Sequence, residues 1–138
     1  MVILIAEDQE IIAMMLAWQL EAAGHYVLRP VATLREAEAL AEQEAPDLAL
    51  VDISLRGGED GVSLARKLQS ELQIPCVFIT AEPAAARANA DAALGVIAKP
   101  YSPTDLNRSI HALNMILLGV TPHPYEIPAA LELFAQHC

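Results

Sequence analysis

The chain has 138 residues, 54% of them hydrophobic but only 4% aromatic. That is the size of one domain around a single aliphatic core, which argues against disordered chains and disulfide-stapled scaffolds. Eighteen acidic against eight basic side chains leave a formal charge of -10, and the basic residues are scattered, so none of them form a track for a nucleic-acid backbone.

The longest apolar run, Ile11 to Trp18, falls far short of the ~20 residues of a membrane helix, and no basic region precedes the apolar N-terminus. The expectation is a soluble, cytoplasmic protein with no nucleic-acid or membrane partner. Cys76 lies in an apolar stretch and Cys138 is the last residue, so neither suggests a disulfide framework or a metal knuckle. The four histidines have no metal-ligand spacing.

Short apolar runs alternate with helical patterns as far as about residue 118, the pattern of a parallel sheet covered by helices on both faces. Val2 to Ala6 reads as a buried strand, and a helix follows from about Glu10 to Ala23, stopped at Gly24. Tyr26 to Ala32 is the second strand. Thr33 and Glu36 have capping-box spacing and open a helix that runs to about Glu44, before Ala45-Pro46.

Asp47 to Asp52 is the third strand. Leu64, Leu68 and Leu72 then form one face of a helix over Val62 to Leu72. Pro75 to Thr80 is the fourth strand, Pro83 to Ala93 an Ala-rich helix and Gly95 to Ala98 a short fifth strand. Ser102 as cap and Pro103 in the first turn start a last helix that runs to Leu118.

In such a sheet, ligands collect at the carboxyl ends of the strands. The first strand ends in Glu7-Asp8, the third in Asp52, the fourth in Thr80 and the fifth in Lys99-Pro100. Taken singly, Asp8 could cap a helix, Asp52 could start a turn and Lys99 could be a solvated charge. Their placement together at four strand ends is much harder to obtain by accident.

Three carboxylates on one rim repel, each pair by about 4 kcal/mol at ~4 Å and an effective dielectric near 20. Such a cluster calls for a cation, and an all-oxygen site that keeps several waters suits Mg²⁺. Thr80 and Lys99 remain as donors for an anion beside it.

These strand ends resemble the receiver domain of two-component response regulators, in particular the chemotaxis-type, stand-alone single-domain members. The resemblance rests on Ala6-Glu7-Asp8, Leu50-Val51-Asp52, Ile79-Thr80-Ala81 and Ala98-Lys99-Pro100, and it covers residues 1 to about 118. It implies a flavodoxin-like α/β fold, a doubly wound five-stranded parallel sheet of order 2-1-3-4-5 with five helices. It also implies that Asp52 accepts a phosphoryl group from the phosphohistidine of a histidine kinase or histidine phosphotransfer protein.

By the same resemblance Glu7, Asp8, Asp52 and the Ser54 carbonyl hold Mg²⁺, while Lys99 and Thr80 bind phosphoryl oxygens. The Lys99-Pro100 peptide is expected to be cis. Ser54 and Glu82 tune attack of water on the phospho-aspartate, and the small Ala81 leaves room for the incoming phosphohistidine. Signalling then runs through phosphorylation-dependent binding to a downstream protein target.

The sequence departs from the family pattern in places. Val96 stands three residues before Lys99, where an aromatic is usual, so switching is expected to use the backbone after Thr80. Tyr101 is expected to pack at the start of the last helix. The loop after Asp52, with Arg56-Gly57 in place of a Pro-containing turn, is one residue longer than the common form.

Ile11 to Trp18 cover the whole circumference of the first helix, and Met115 to Leu118 end the last one similarly. That apolar surface is either a docking face for partner helices or a patch covered by the protein itself. Residues 1-118 are expected to form the receiver domain. Residues 119-138 are expected to form a Pro-containing hinge followed by a C-terminal helical extension, with Ile127, Leu131, Phe134 and Cys138 as its apolar stripe. That tail either folds back on its own domain or is exchanged in a homodimer through the first and last helices.

Three functions compete with the leading one. A phosphate sink or relay intermediate would use the same site without an output. An Asp-nucleophile phosphohydrolase would want a second carboxylate two residues after the nucleophile, where Ser54 stands. A receiver-like domain that binds partners without phosphate is at odds with the complete set of rim residues. The expectation is a signalling domain limited to its own phosphorylation and dephosphorylation, and not an enzyme.

Overall fold

The computed structural model describes residues 1–55 and 61–134. Six strands form one sheet: β1 (Val2–Ala6), β2 (Tyr26–Val27), β3 (Leu48–Asp52), β4 (Cys76–Thr80), β5 (Gly95–Ala98) and β6 (Leu131–Leu133). Their order is β2-β1-β3-β4-β5-β6. The first five are parallel in the expected order, and β6 adds to β5 antiparallel.

Five α-helices connect them: α1 (Glu10–Ala22), α2 (Leu34–Glu44), α3 (Gly61–Leu72), α4 (Pro83–Arg87) and α5 (Pro103–Leu117). Because side chains alternate across a strand, β1 sends Leu4 and Ala6 to one face and Ile3 and Ile5 to the other. The first face packs Leu40, Leu64, Leu68 and Ala86 of α2, α3 and α4. The second packs Leu16 and Leu20 of α1 with Leu106, Ile110 and Leu113 of α5.

The caps follow the sequence. Thr33 Oγ1 accepts from the Glu36 N–H at 3.2 Å and so caps α2. Glu36 Oε1 accepts from the Thr33 hydroxyl at 3.1 Å and from the Ala32 N–H at 3.4 Å, rather than from the Thr33 N–H of a full capping box. Ser102 Oγ accepts from the Asp105 N–H at 3.0 Å and starts α5. α1 ends before Gly24, whose φ of 96° lies in the left-handed region.

Two elements are clearly shorter than the sequence suggests. β2 stops at Val27 because Pro30 has no N–H for the ladder; Val31 rejoins β1 as an isolated bridge to Ala6. α4 stops at Arg87, where Asn89 turns its side-chain amide back to the Ala85 carbonyl at 3.0 Å. A separate 3₁₀ turn, Ala90–Ala92, follows it.

The helix expected after the hinge is replaced by a 3₁₀ turn, Pro124–Glu126, and by β6. A ten-residue helix is marginal alone. As a strand, the same segment bonds to β5, with the Ala98 N–H donating to the Ala130 carbonyl and the Phe134 N–H to the Leu94 carbonyl, both at 2.9 Å. Leu131 and Phe134, three apart, share a helix face but point to opposite faces of a strand, and here each enters a different core. Cys138, the last residue of the expected stripe, lies outside the described residues, as does the Arg56-Gly57 turn.

The tail therefore lies against its own β5 and leaves α1 uncovered. Ile11, Met14, Met15 and Trp18 form a solvent-exposed stripe at i, i+3, i+4, i+7, with Trp18 62% exposed. Of the two explanations for this apolar surface, self-coverage fails for α1 among the described residues.

Cys76 is buried, as expected, and burial pushes its thiol up to about 12 from the ordinary 9.0. A group whose folded pKa is raised stabilises fully below its unfolded value and less as pH climbs toward the folded one. Stability is expected to decline between about pH 9 and about pH 12, with a slope that Cys76→Ala reduces. Urea midpoints measured across that range check this, and equal slopes would contradict it.

Candidate functional site

The carboxyl ends of β1, β3, β4 and β5 converge on one rim. One oxygen from each of Glu7, Asp8 and Asp52 lies within 4.8 Å of the other two. Lys99 Nζ stands between two of them, donating to Glu7 Oε1 at 2.9 Å and to Asp52 Oδ2 at 3.2 Å. The second oxygens are also engaged, Glu7 Oε2 by the Gln9 N–H at 3.2 Å and Asp52 Oδ1 by the Ser54 N–H at 2.9 Å.

Local backbone structure holds these groups in place. The Lys99 N–H donates to the Thr80 carbonyl at 2.8 Å, tying the ends of β4 and β5 together. Lys99-Pro100 is cis, as expected. Thr80 is buried at the rim, where its Oγ1 accepts from the Glu82 N–H at 3.0 Å. Ala81 and Glu82 lie exposed beside it. The start of α1 brings no competing cap: its N-cap residue is Gln9, with no side-chain cap hydrogen bond.

The electrostatics are those of an acidic pocket in which Lys99 is held between two carboxylates. Burial is the largest influence on Glu7 and raises its pKa, against the bond from Lys99; the neighbouring Asp52 raises it further. For Lys99, burial opposes the charge, but Glu7 and Asp52 outweigh it and hold the ammonium above its usual range. The Lys99 ammonium is thus shared between the Glu7 and Asp52 carboxylates. The donor set is hard oxygen throughout, as Mg²⁺ requires, and the strain on Glu7 is what an added cation relieves.

All of Glu7, Asp8, Asp52, Ser54, Thr80 and Lys99 come together at this rim. Val96 is fully buried on the α4 side of the sheet, and Tyr101 is half-buried beside the α1 and α5 core, as expected. Sequence reasoning missed Gly61. A Cβ there would fall 2.1 Å from the Asp52 carbonyl oxygen and 2.8 Å from Val51 Cγ1. The available signal was a glycine opening a helix that needed no glycine, nine residues after the acid.

A doubly wound sheet whose five parallel strands run in the order 2-1-3-4-5 belongs to the flavodoxin-like class. The chain is a member of the response regulator receiver domain family, whose sequence signature matches residues 3–111. It is 36% identical over 110 residues to the phyllosphere-induced regulator PhyR of Methylorubrum extorquens, covering 78% of this chain and 41% of that protein. It is 34% identical over 107 residues to the transcriptional regulatory protein PdtaR of Mycobacterium tuberculosis, covering 75% and 52%.

This chain therefore spans about half the length of the curated relatives it matches. Among solved structures, the signal receiver domain of a modulated diguanylate cyclase from Desulfovibrio desulfuricans is 34% identical, with a TM-score of 0.75 over 85% of this chain and 95% of that one. The chemotaxis response regulator CheY4 of Vibrio cholerae, 24% identical with a TM-score of 0.74 over 81% and 97%, shares the fold. Receiver domains are signalling domains that take a phosphoryl group from histidine kinases or phosphotransfer proteins and bind Mg²⁺ at an acidic pocket. Among the described residues no helix is long and apolar enough to cross a membrane.

Proposed function

We propose that Asp52 is the phospho-acceptor and that this domain signals by protein binding that depends on its phosphorylation. The observation that carries this reading is the bond from Lys99 to Asp52 at the centre of the acidic rim, with Thr80 buried alongside. Asp8, Asp52 and the Ser54 carbonyl would hold Mg²⁺, with Glu7 completing the acidic set. When bound, the ion offsets charge on the carboxylates and on the incoming phosphoryl group.

Asp52 Oδ2 attacks phosphorus as the bond to the donor imidazole nitrogen breaks, and that nitrogen keeps the electron pair. The product replaces about one negative charge by roughly two and adds acceptor oxygens. Lys99 pairs with one of these oxygens. Thr80 gives up the Glu82 N–H and turns its hydroxyl toward another, drawing the backbone before α4 with it. Ser54 and Glu82 flank the acyl phosphate and set its lifetime, and Ala81 leaves space for the donor ring. The α4 and β5 side of the sheet is the output surface.

The exposed stripe on α1 borders the acidic pocket and is the face on which a phosphohistidine-bearing helix would dock. Trp18→Ser is expected to slow phosphotransfer from a cognate kinase by about tenfold or more. The same variant should leave phosphorylation by acetyl phosphate unchanged and stability within about 0.5 kcal/mol. Equal slowing with both donors would remove α1 from the docking face.

The reading as a whole is tested by incubating the protein with acetyl phosphate and Mg²⁺ and weighing it intact. Wild type gains a phosphoryl group and Asp52→Asn does not. An equal gain in both would overturn the assignment.

A further inference from the structure

β6 is more than a cover for a sheet edge, because it is tied to both segments that carry the site. At one end the Ala130 carbonyl accepts from the Ala98 N–H, one residue before Lys99. In the middle, Arg87 Nε donates to both carboxylate oxygens of Glu132 at 2.8 and 3.0 Å. Arg87 is the last residue of α4, the helix that begins three residues after Thr80.

The fit is specific to these residues. A Cβ on Gly95 would lie 2.3 Å from the Glu132 carbonyl oxygen, so this close approach of β6 requires glycine at that position. Leu131 and Phe134 are buried in opposite cores. Arg108 Nη2 holds the preceding turn to α5 through the Tyr125 carbonyl at 2.6 Å.

The grip is also shallow. The ladder has three register pairs, and the Arg87–Glu132 bridge is exposed, 54% and 43% at the two side chains, where an ion pair contributes little. The segment leading to it carries Pro122, Pro124 and Pro128 after Gly119, whose φ is 82°. A short edge strand on such a tether is the part of a sheet that opens first.

Resting on the function proposed above, we infer that residues 130–134 are a detachable strap. It locks α4 to the end of β5 while Asp52 is unmodified and yields when Asp52 is phosphorylated. Thr80 and Lys99 approach the phosphoryl oxygens from different strands, so α4 and the end of β5 move by different amounts. The strap spans both and cannot keep the Arg87–Glu132 pair and the Ala98–Ala130 bond together. Its release bares the β5 edge, a row of unpaired backbone groups able to accept an extended segment of a partner.

Hydrogen exchange on the full chain, with and without acetyl phosphate and Mg²⁺, tests this alongside the intact mass. The strap predicts about tenfold faster exchange at the Phe134 and Ala98 amides once the adduct forms, the scale of ordinary coupling between sites. An adduct with unchanged protection at Phe134 and Ala98 would overturn the strap and leave the phospho-acceptor reading standing. No adduct at all would overturn both.

Discussion

Gly61→Ala is expected to cost about 2 to 3 kcal/mol of stability and to abolish phosphorylation, although Gly61 carries no functional group. The added methyl would sit 2.1 Å from the Asp52 carbonyl oxygen and 2.8 Å from its carbonyl carbon. Both are backbone atoms of a central strand, so no flexible side-chain end can swing aside. The Gly61 N–H also donates to the Ile53 carbonyl at 2.5 Å, which ties the start of α3 to the residue after β3. Relief must come from moving either the start of α3 or the end of β3, and the second displaces Asp52 from Lys99. Urea denaturation with acetyl phosphate labelling checks both effects. A variant of wild-type stability and labelling would show that the start of α3 moves aside at no cost.

The second large effect is stabilisation by Mg²⁺. A ligand at roughly a hundred times its Kd stabilises by about 2.7 kcal/mol. Wild-type protein is expected to gain on that scale, because the ion relieves the crowding of Glu7, Asp8 and Asp52 that Lys99 only partly offsets. Asp8→Asn removes one anion without touching the Lys99 bonds to Glu7 and Asp52. It should lose most of the gain that wild type shows with the metal. Thermal melts with Mg²⁺ and with EDTA separate these outcomes. A full gain in Asp8→Asn would place the ion elsewhere.

The sheet and its rim were legible in the sequence for a physical reason. Each central strand is buried on both faces and reads as an apolar run, so the first polar residue after it marks the rim. Glu7, Asp52, Thr80 and Lys99 stand at those four points. Cap chemistry is equally local, so Thr33 and Ser102 could be placed without knowledge of the fold.

Most of what failed depended on contacts between segments apart in the chain. The apolar spacing of Leu131 and Phe134 suits either a helix face or the two sides of a strand, and the open edge of β5 decided for the strand. The close approaches at Gly61 and Gly95 each involve a backbone carbonyl from another part of the chain. The early end of α4 is a local competition between Asn89 and the helix, which Ala-rich composition conceals.

The central claim is that Asp52 carries an acyl phosphate. Its most direct test is peptide mapping after acetyl phosphate and Mg²⁺ treatment, with borohydride used to reduce the acyl phosphate to a stable alcohol. The account predicts that position 52 alone is reduced to homoserine, that EDTA prevents the reaction, and that hydroxylamine removes the adduct. A phosphoryl group on any other residue, or a hydroxylamine-resistant adduct, would contradict it.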